Sequence, residues 1–218
     1  MPVEAPQYPV NLVLTGRRCL AVGGGRVAAR KVEGLLACGA EVHVVAPMVG
    51  GEVRALADGR GASPGTALTW EERPYRRGEV AGYRLVVTAT DDAEVNRAVF
   101  ADGEAAGVWV NSADDPANCS FTLPAVVRRG PVMVTVSTGG QSPALATWLK
   151  ARVAEDIGPE YEVLVSLLAA EREAIQAAGR STEDVDWQKA LDSDMLALIR
   201  AGNVRRAKER LQACLSSS

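Results

Sequence analysis

Short apolar runs alternate with helical patterns over the first half of the chain. Residues 19–22 have the composition of a buried parallel strand, and the segment after them repeats its apolar residues at helical spacing. Residues 41–46 alternate and are β-branched, which is typical of a second strand. Further strands are predicted at 68–70, 85–89 and 108–111. Alternating strands and helices predict an open parallel sheet of the α/β class.

The pattern changes after residue 111. Residues 111–130 are rich in turn-forming residues, and one more strand is predicted at 132–136. Ser142 and Pro143 occupy the N-cap and first position of a helix, and beyond them the apolar stripes are all helical. The predicted regions are a parallel-sheet domain, a short middle segment and a helical C-terminal domain, at 1–113, 114–150 and 151–218.

A glycine motif follows the first predicted strand. Gly23, Gly25 and Ala28 match the pattern GxGxx(G/A). The first glycine permits a tight turn, the second lets the backbone approach a pyrophosphate, and the small third residue allows the helix to pack on the strand. The N-terminus of that helix would face the phosphates. The order strand, loop, helix and strand therefore predicts a Rossmann-type domain that binds NAD.

The cofactor contacts are expected at the glycine loop and at the ends of neighbouring strands. The predicted cofactor-binding residues are Gly23, Gly25, Arg26, Val27, Pro47, Met48 and Thr90. The second strand ends in Ala46 and Pro47, where such domains usually place an acid that binds the ribose. Ribose contacts are then expected from the main chain at Pro47 and Met48. The choice between NAD and NADP stays open, although no basic residue at this point favours a 2′-phosphate.

Composition and charge exclude several classes of function. A net charge of -3 gives no overall attraction to nucleic acid, and no apolar run approaches the roughly 20 residues that cross a membrane. The N-terminal segment lacks the layout of a signal peptide, so we expect a cytoplasmic protein. The four cysteines form no CxxC pair, and His43 is the single histidine, so no metal site is expected.

Several further blocks carry a family resemblance. They occur in order at residues 16–31, 88–92, 111–116, 119–125 and 136–146. With these blocks, the chain resembles the precorrin-2 dehydrogenase/sirohydrochlorin ferrochelatase family, the N-terminal module of siroheme synthases, over roughly residues 8–155. The resemblance implies oxidation of precorrin-2 to sirohydrochlorin with hydride transfer to NAD⁺. It also implies a homodimer, with residues 114–150 pairing the subunits.

Asp114 matches the position of the family's essential carboxylate. Dehydrogenation removes a proton as well as a hydride, and a carboxylate can accept that proton as a general base. The alternative is that Asp114 or Asp115 only caps the turn at Pro116.

The resemblance also suggests where precorrin-2 would bind. The expected substrate-binding residues are Ser137, Thr138, Gly139, Arg128 and Lys150. Cations suit a substrate with many carboxylates, although solvated surface charge is the alternative. Thr138 aligns with a serine that is phosphorylated in some family members, and it can equally be a turn hydroxyl.

Two other functions remain open from the sequence. One is a generic NAD-dependent dehydrogenase of a small metabolite, and the other is a regulatory module that senses NAD without catalysis. Whether iron insertion accompanies dehydrogenation is also open. We expect it to be weak or absent, because a single histidine and no thiol pair offer few groups that handle Fe²⁺.

Overall fold

The structure is a computed structural model that describes residues 6–57, 67–113, 115–183 and 185–216. Its contacts divide the chain into two compact units: Met1–Leu123 with Gly139–Gln141, and Pro124–Thr138 with Ser142–Ser218. The three functional regions expected from the sequence stay a prediction.

The first unit contains a five-stranded parallel sheet. Its strands are β1 (Arg18–Val22), β2 (Glu41–Ala46), β3 (Leu68–Glu72), β4 (Leu85–Thr88) and β5 (Trp109–Ser112). Its helices are α1 (Arg26–Leu36), α2 (Gly51–Ala57) and α3 (Ala93–Ala106). The strand order is β3-β2-β1-β4-β5, so the order reverses between β1 and β4. This confirms the prediction of a Rossmann-type α/β fold, whose ligand crevice lies at that switch point.

Both faces of this sheet are buried. On one face Ala21 and Val44 pack with Val32 of α1, and on the other Leu20 and Val86 pack with Val99 of α3. Because helices cover both faces, the central strands β1 and β4 are apolar over most of their length. All four residues of β4 are buried, which explains why this strand was readable from its composition.

A buried carboxylate fixes the chain between β3 and β4 to α3. Asp102 accepts hydrogen bonds from Arg77 Nε at 2.9 Å and Arg77 Nη2 at 2.6 Å, together with bonds from Tyr75 Oη and the Gly78 N–H at 2.7 Å each. The Arg77 guanidinium is the main cause that lowers the pKa of Asp102 to about 2. Asp102 therefore stays charged at neutral pH although it is 9% exposed.

In its described residues, the second unit combines a hairpin with five α-helices. The hairpin pairs β6 (Ala125–Arg129) with β7 (Val132–Val136) in antiparallel register. The helices are α4 (Pro143–Asp156), α5 (Glu160–Ala177), α6 (Trp187–Leu191), α7 (Met195–Arg200) and α8 (Val204–Ser216). Leu164, Met195 and Leu211 lie in the core that the last four of these helices share.

The strand β6 is a correction to the sequence analysis, which treated residues 111–130 as turns. The strand has only three consecutive apolar residues, at 125–127, before two arginines, and Val127 is its one buried residue, so the apolar run is too short to mark a strand among turn-forming residues. Its partner β7 fixes it through a turn at Gly130, whose φ of 54° favours glycine. The predicted cap of α4 is confirmed, since Ser142 Oγ accepts a hydrogen bond from the Leu145 N–H at 3.2 Å. Within the ranges that the structure describes, no helix is both long and apolar enough to cross a membrane.

Candidate dinucleotide-binding site

The glycine loop packs tightly against the ends of two neighbouring strands. The Gly23 N–H donates to the Val45 carbonyl at 2.9 Å, and Gly23 has a φ of 122° that L side chains rarely adopt. A Cβ at Gly23 would collide with the carbonyl of Ala89, and a Cβ at Gly24 would collide with the carbonyl of Met48. These two glycines are therefore required by the fold itself.

Gly25 differs from its two neighbours. Its backbone is extended, with a φ of -84° and a ψ of -174°, and it is the N-cap of α1 without a side-chain cap. Among the described residues, apart from Gly25 itself and its two chain neighbours, no heavy atom lies within 4 Å of where a Cβ on Gly25 would stand. The first turn of α1 also has no acidic side chain. The backbone N–H groups at this helix end thus meet open space, which fits a bound pyrophosphate.

The predicted ribose contacts lie on the loop between β2 and α2. Pro47 is exposed, and Met48 is 77% exposed. The Gly50 N–H donates to the Gly24 carbonyl at 2.9 Å, which holds this loop against the glycine loop. The main chain of Pro47 and Met48 therefore borders the same crevice as Gly25.

Thr90 is held by a buried asparagine that the sequence analysis missed. Asn96 on α3 accepts hydrogen bonds from Thr88 Oγ1 at 2.5 Å and Thr90 Oγ1 at 2.9 Å, and its Nδ2 donates to the Thr90 carbonyl at 3.0 Å. Asn96 is 6% exposed. Asp92 is the N-cap of α3, and Asn96 follows it by one helical turn. This spacing was the signal in the sequence from which the role of Asn96 could have been found. Five of the seven predicted cofactor residues lie on the loops that follow β1, β2 and β4, at the carboxyl edge of the sheet, and Arg26 and Val27 are the first residues of α1.

Glu72 and Arg54 form a second feature that sequence reasoning missed. Glu72 ends β3 beside Ala46, the last residue of β2. Its Oε1 accepts from the Val49 N–H at 3.1 Å and from Arg54 Nη2 at 2.5 Å, while Arg54 Nε donates to the Val49 carbonyl at 3.0 Å. The Val49 N–H, followed by Arg54, lowers the pKa of Glu72. The Glu72 carboxylate thus lies beside the loop between β2 and α2, although β2 itself ends without an acidic residue.

Asp114, the predicted catalytic residue, lies outside the described residues. On either side of it, Ser112 and Cys119 meet, because the Ser112 N–H donates to Cys119 Sγ at 3.2 Å. Burial raises the pKa of the Cys119 thiol, which stays protonated. Asp115 makes no side-chain cap and instead accepts from Asn118 Nδ2 at 2.6 Å.

A lysine of α1 reaches the same strand end. Lys31 Nζ donates to Asn111 Oδ1 at 2.7 Å, and Asn111 Nδ2 donates to the Phe121 carbonyl at 3.0 Å. Asn111 of β5 therefore connects α1 to Phe121, ten residues further along the chain.

The residues predicted to bind substrate belong largely to the second unit. Arg128 lies on β6, Ser137 and Thr138 follow β7, and Lys150 lies on α4, whereas Gly139 groups with the first unit. Thr138 Oγ1 donates to the Ser142 carbonyl and accepts from the Ser142 N–H, each at 3.1 Å. These bonds make Thr138 the hydroxyl that closes the turn before α4.

The described side chains hold no group of three or more His, Cys, Asp or Glu arranged for a metal ion. His43 Nδ1 lies 3.0 Å from Thr69 Oγ1 on the neighbouring strand, and its Nε2 lies 3.4 Å from a Glu71 oxygen. The main cause that lowers the pKa of His43 is burial, so this imidazole is neutral at pH 7.

The fold and the glycine loop define a dinucleotide-binding α/β protein. The family model NAD_binding_7, which describes NAD(P)-binding domains, matches residues 10–125. This is more than half of the 218 residues, and the chain belongs to this NAD(P)-binding family.

Two siroheme synthases and one solved structure are similar to this chain over most of its length. The siroheme synthase of Nitrosococcus oceani is 39% identical over 212 residues, which are 96% of this chain and 44% of the relative. That of Chromobacterium violaceum is 39% identical over 210 residues, 94% of this chain and 43% of the relative. The chain thus spans less than half the length of these relatives. A solved structure of SirC, a precorrin-2 dehydrogenase, is 26% identical with a TM-score of 0.69 and covers 95% of this chain and 98% of its own. The resemblance inferred from the sequence blocks is confirmed.

Proposed function

We propose that this chain is an NAD⁺-dependent precorrin-2 dehydrogenase that makes sirohydrochlorin for siroheme synthesis. The observation that carries the proposal is the likeness to SirC, since it extends over 95% of this chain rather than over the Rossmann domain alone. A dinucleotide-binding domain by itself does not specify a substrate. The glycine loop at the switch point supplies the cofactor site that such a reaction needs.

The reaction removes one hydride and one proton from the substrate. NAD⁺, when bound, supplies the hydride acceptor. We assign its pyrophosphate to the N-terminus of α1, where Gly25 leaves open space and Arg26 and Val27 are exposed. The main chain at Met48 and the loop at Thr90 would border the rest of the cofactor.

Asp114 is the proposed acceptor of the proton. Two described residues near it in the sequence, Ser112 and Cys119, are buried and joined by a hydrogen bond at the end of β5. A general base near the cofactor must be held in place through the transition state, and such anchoring serves that need.

The carboxylates of precorrin-2 call for cations. We assign this role to Arg128 and Lys150, both exposed, with Ser137, Thr138 and Gly139 as polar and backbone contacts. Guanidinium groups bind carboxylates through two parallel hydrogen bonds, which gives orientation as well as affinity.

We also propose that the chain forms a homodimer through the second unit and acts in the cytoplasm. Of the residues of α4, all of them described, none is buried, and Leu145 and Trp148 on this helix are 46% and 56% exposed. A second copy of the chain would cover these side chains. Analytical ultracentrifugation should give a dimer for the wild type and a monomer for Trp148→Glu.

An anaerobic incubation with precorrin-2 and NAD⁺ tests the proposed activity. The visible absorption of the tetrapyrrole should change to that of sirohydrochlorin only when both enzyme and NAD⁺ are present. A small-metabolite dehydrogenase or an NAD sensor would leave the precorrin-2 spectrum unchanged, and that outcome would exclude the proposal.

A further inference from the structure

The edge of the sheet next to β2 carries an acid in an unusual place. Dinucleotide-binding domains usually end their second strand with the acid that contacts the ribose, but here β2 ends in Ala46. Glu72 is the register neighbour of Ala46 on the parallel strand β3. Because register neighbours in parallel strands lie at the same level, the Glu72 carboxylate stands at the level where that acid is missing.

Side-chain alternation along β3 places Glu72 on the same face of the sheet as α1. Trp70, two residues earlier, packs against the cluster that contains the buried residues of α1 and α2. Residues two apart on a strand point to one face, so Glu72 shares this face and Glu71 lies on the opposite one. Glu71 makes its own ion pair, with Arg73 at 2.6 Å.

The contacts of Glu72 lead directly to the glycine loop. Its carboxylate accepts from the Val49 N–H, and a Cβ on Gly24 would lie 3.0 Å from the Val49 Cα. Val49 therefore separates Glu72 from the backbone that would face the cofactor. In the part of the chain that the structure describes, both bonds to Glu72 use Oε1, and Oε2 has no hydrogen-bond partner. The side chain is 44% exposed, so Oε2 can face a ligand.

Arg54 is the positively charged residue beside this loop, and it forms an ion pair with Glu72. Arg54 Nη2 binds the carboxylate and Nε binds the Val49 carbonyl, while the guanidinium lies 5.8 Å from the centre of the Trp70 ring. The Glu72 carboxylate thus offsets the charge of the guanidinium, so a phosphate added here would meet a paired cation rather than an unpaired one.

We propose that Glu72 selects NAD⁺ over NADP⁺ by placing a carboxylate beside the 2′ position of the adenosine ribose. This inference rests on the proposed function, since it presumes a dinucleotide in the crevice. Oε2 accepts a hydrogen bond from a 2′-hydroxyl and repels a 2′-phosphate, and the ion pair keeps Arg54 from neutralising that phosphate. The acid of β3 replaces the missing acid of β2.

Glu72→Gln is the decisive variant, and Glu71→Gln is its matched control. Glutamine can still accept from the Val49 N–H, so the loop keeps its anchor while the negative charge is lost. Isothermal titration of the full chain with NAD⁺ and with NADP⁺ should show NAD⁺ preference in the wild type. Glu72→Gln should shift the affinity ratio toward NADP⁺ by about tenfold, the change expected for removing one nearby like charge. Glu71→Gln removes the same charge from the opposite face and should leave the ratio unchanged.

A second variant keeps the inference testable if Glu72→Gln does not fold. Arg54→Met leaves the Glu72 carboxylate without its counter-charge, so it should shift the ratio further toward NAD⁺. An unchanged ratio in a folded Glu72→Gln or Arg54→Met, or an equal shift in Glu71→Gln, would overturn the role of Glu72. If neither dinucleotide binds the wild type, the proposed function itself fails.

Discussion

Gly25 is the position where function and fold can be separated most cleanly. Its extended backbone is accessible to any residue, and no described atom lies within 4 Å of a Cβ placed on it. Gly25→Val should therefore fold normally. The valine side chain would fill the space at the N-terminus of α1 that we assign to the pyrophosphate.

Gly25→Val should change the affinity for NAD⁺ much more than the stability of the fold. Hydrogen bonds to a charged group contribute about 1.5–3 kcal/mol each, so losing one or two of them costs about 3 kcal/mol, or about 100-fold in the Kd for NAD⁺. The effect on folding should be small. Valine is a poorer N-cap than glycine, which destabilises the folded state, but it also lowers the conformational entropy of the unfolded chain, which stabilises the folded state by a similar amount. We expect a change in the free energy of unfolding within about 1 kcal/mol, which shifts Tm by about 2–4 °C.

Titration calorimetry with NAD⁺ and thermal unfolding of the same samples check both values. Gly23→Ala is the contrasting variant, since its Cβ would collide with the Ala89 carbonyl at a φ of 122°. It should lose about 3 kcal/mol or more of stability. Unchanged NAD⁺ affinity in Gly25→Val would refute the pyrophosphate assignment. Unfolding of Gly25→Val as severe as that of Gly23→Ala would refute the local geometry.

Three further predictions follow from the proposed mechanism and from the fold. Asp114→Asn should keep NAD⁺ binding but lower the dehydrogenation rate by about 10²- to 10⁴-fold, as expected for a general base, and full activity would contradict this role. Asp102→Asn should lower the free energy of unfolding at pH 7 by about 2 kcal/mol in urea titrations. Because the pKa of Asp102 is depressed from 3.8 to about 2, the difference from wild type should shrink as the pH falls through this range, and a constant difference would argue against it. Purified sirohydrochlorin with Fe²⁺ should show little insertion above a control without enzyme, whereas a rate equal to dehydrogenation would establish a second activity.

The sequence predicted well those features of the fold that depend on residues close together in the chain. The glycine loop depends on neighbouring residues and on one strand–helix junction, so Gly23 and Gly25 lie between a strand and a helix as the sequence predicted, while their role as cofactor contacts stays a prediction. The cap of α4 was readable for the same reason, because Ser142 bonds to the N–H of Leu145, three residues away. Such interactions need no knowledge of the tertiary structure.

Contacts between distant segments could not be predicted. Glu72 meets Val49 across 23 residues, and its place beside Ala46 depends on the register of β3 on β2. The third strand was predicted to end at residue 70, two residues too early to include Glu72. The strand β6 was missed because its apolar run of three residues is short, and its extent is set by pairing with β7.

The coupling of the two half-reactions tests the central claim most directly. In an anaerobic cuvette, NADH and sirohydrochlorin should form together from NAD⁺ and precorrin-2, with one NADH for each sirohydrochlorin. The two traces should have the same rate, and in Gly25→Val both should fall together by about 100-fold at an NAD⁺ concentration near or below the wild-type Kd. Sirohydrochlorin formed without NADH, or NADH formed without any change in the tetrapyrrole, would contradict hydride transfer at this site.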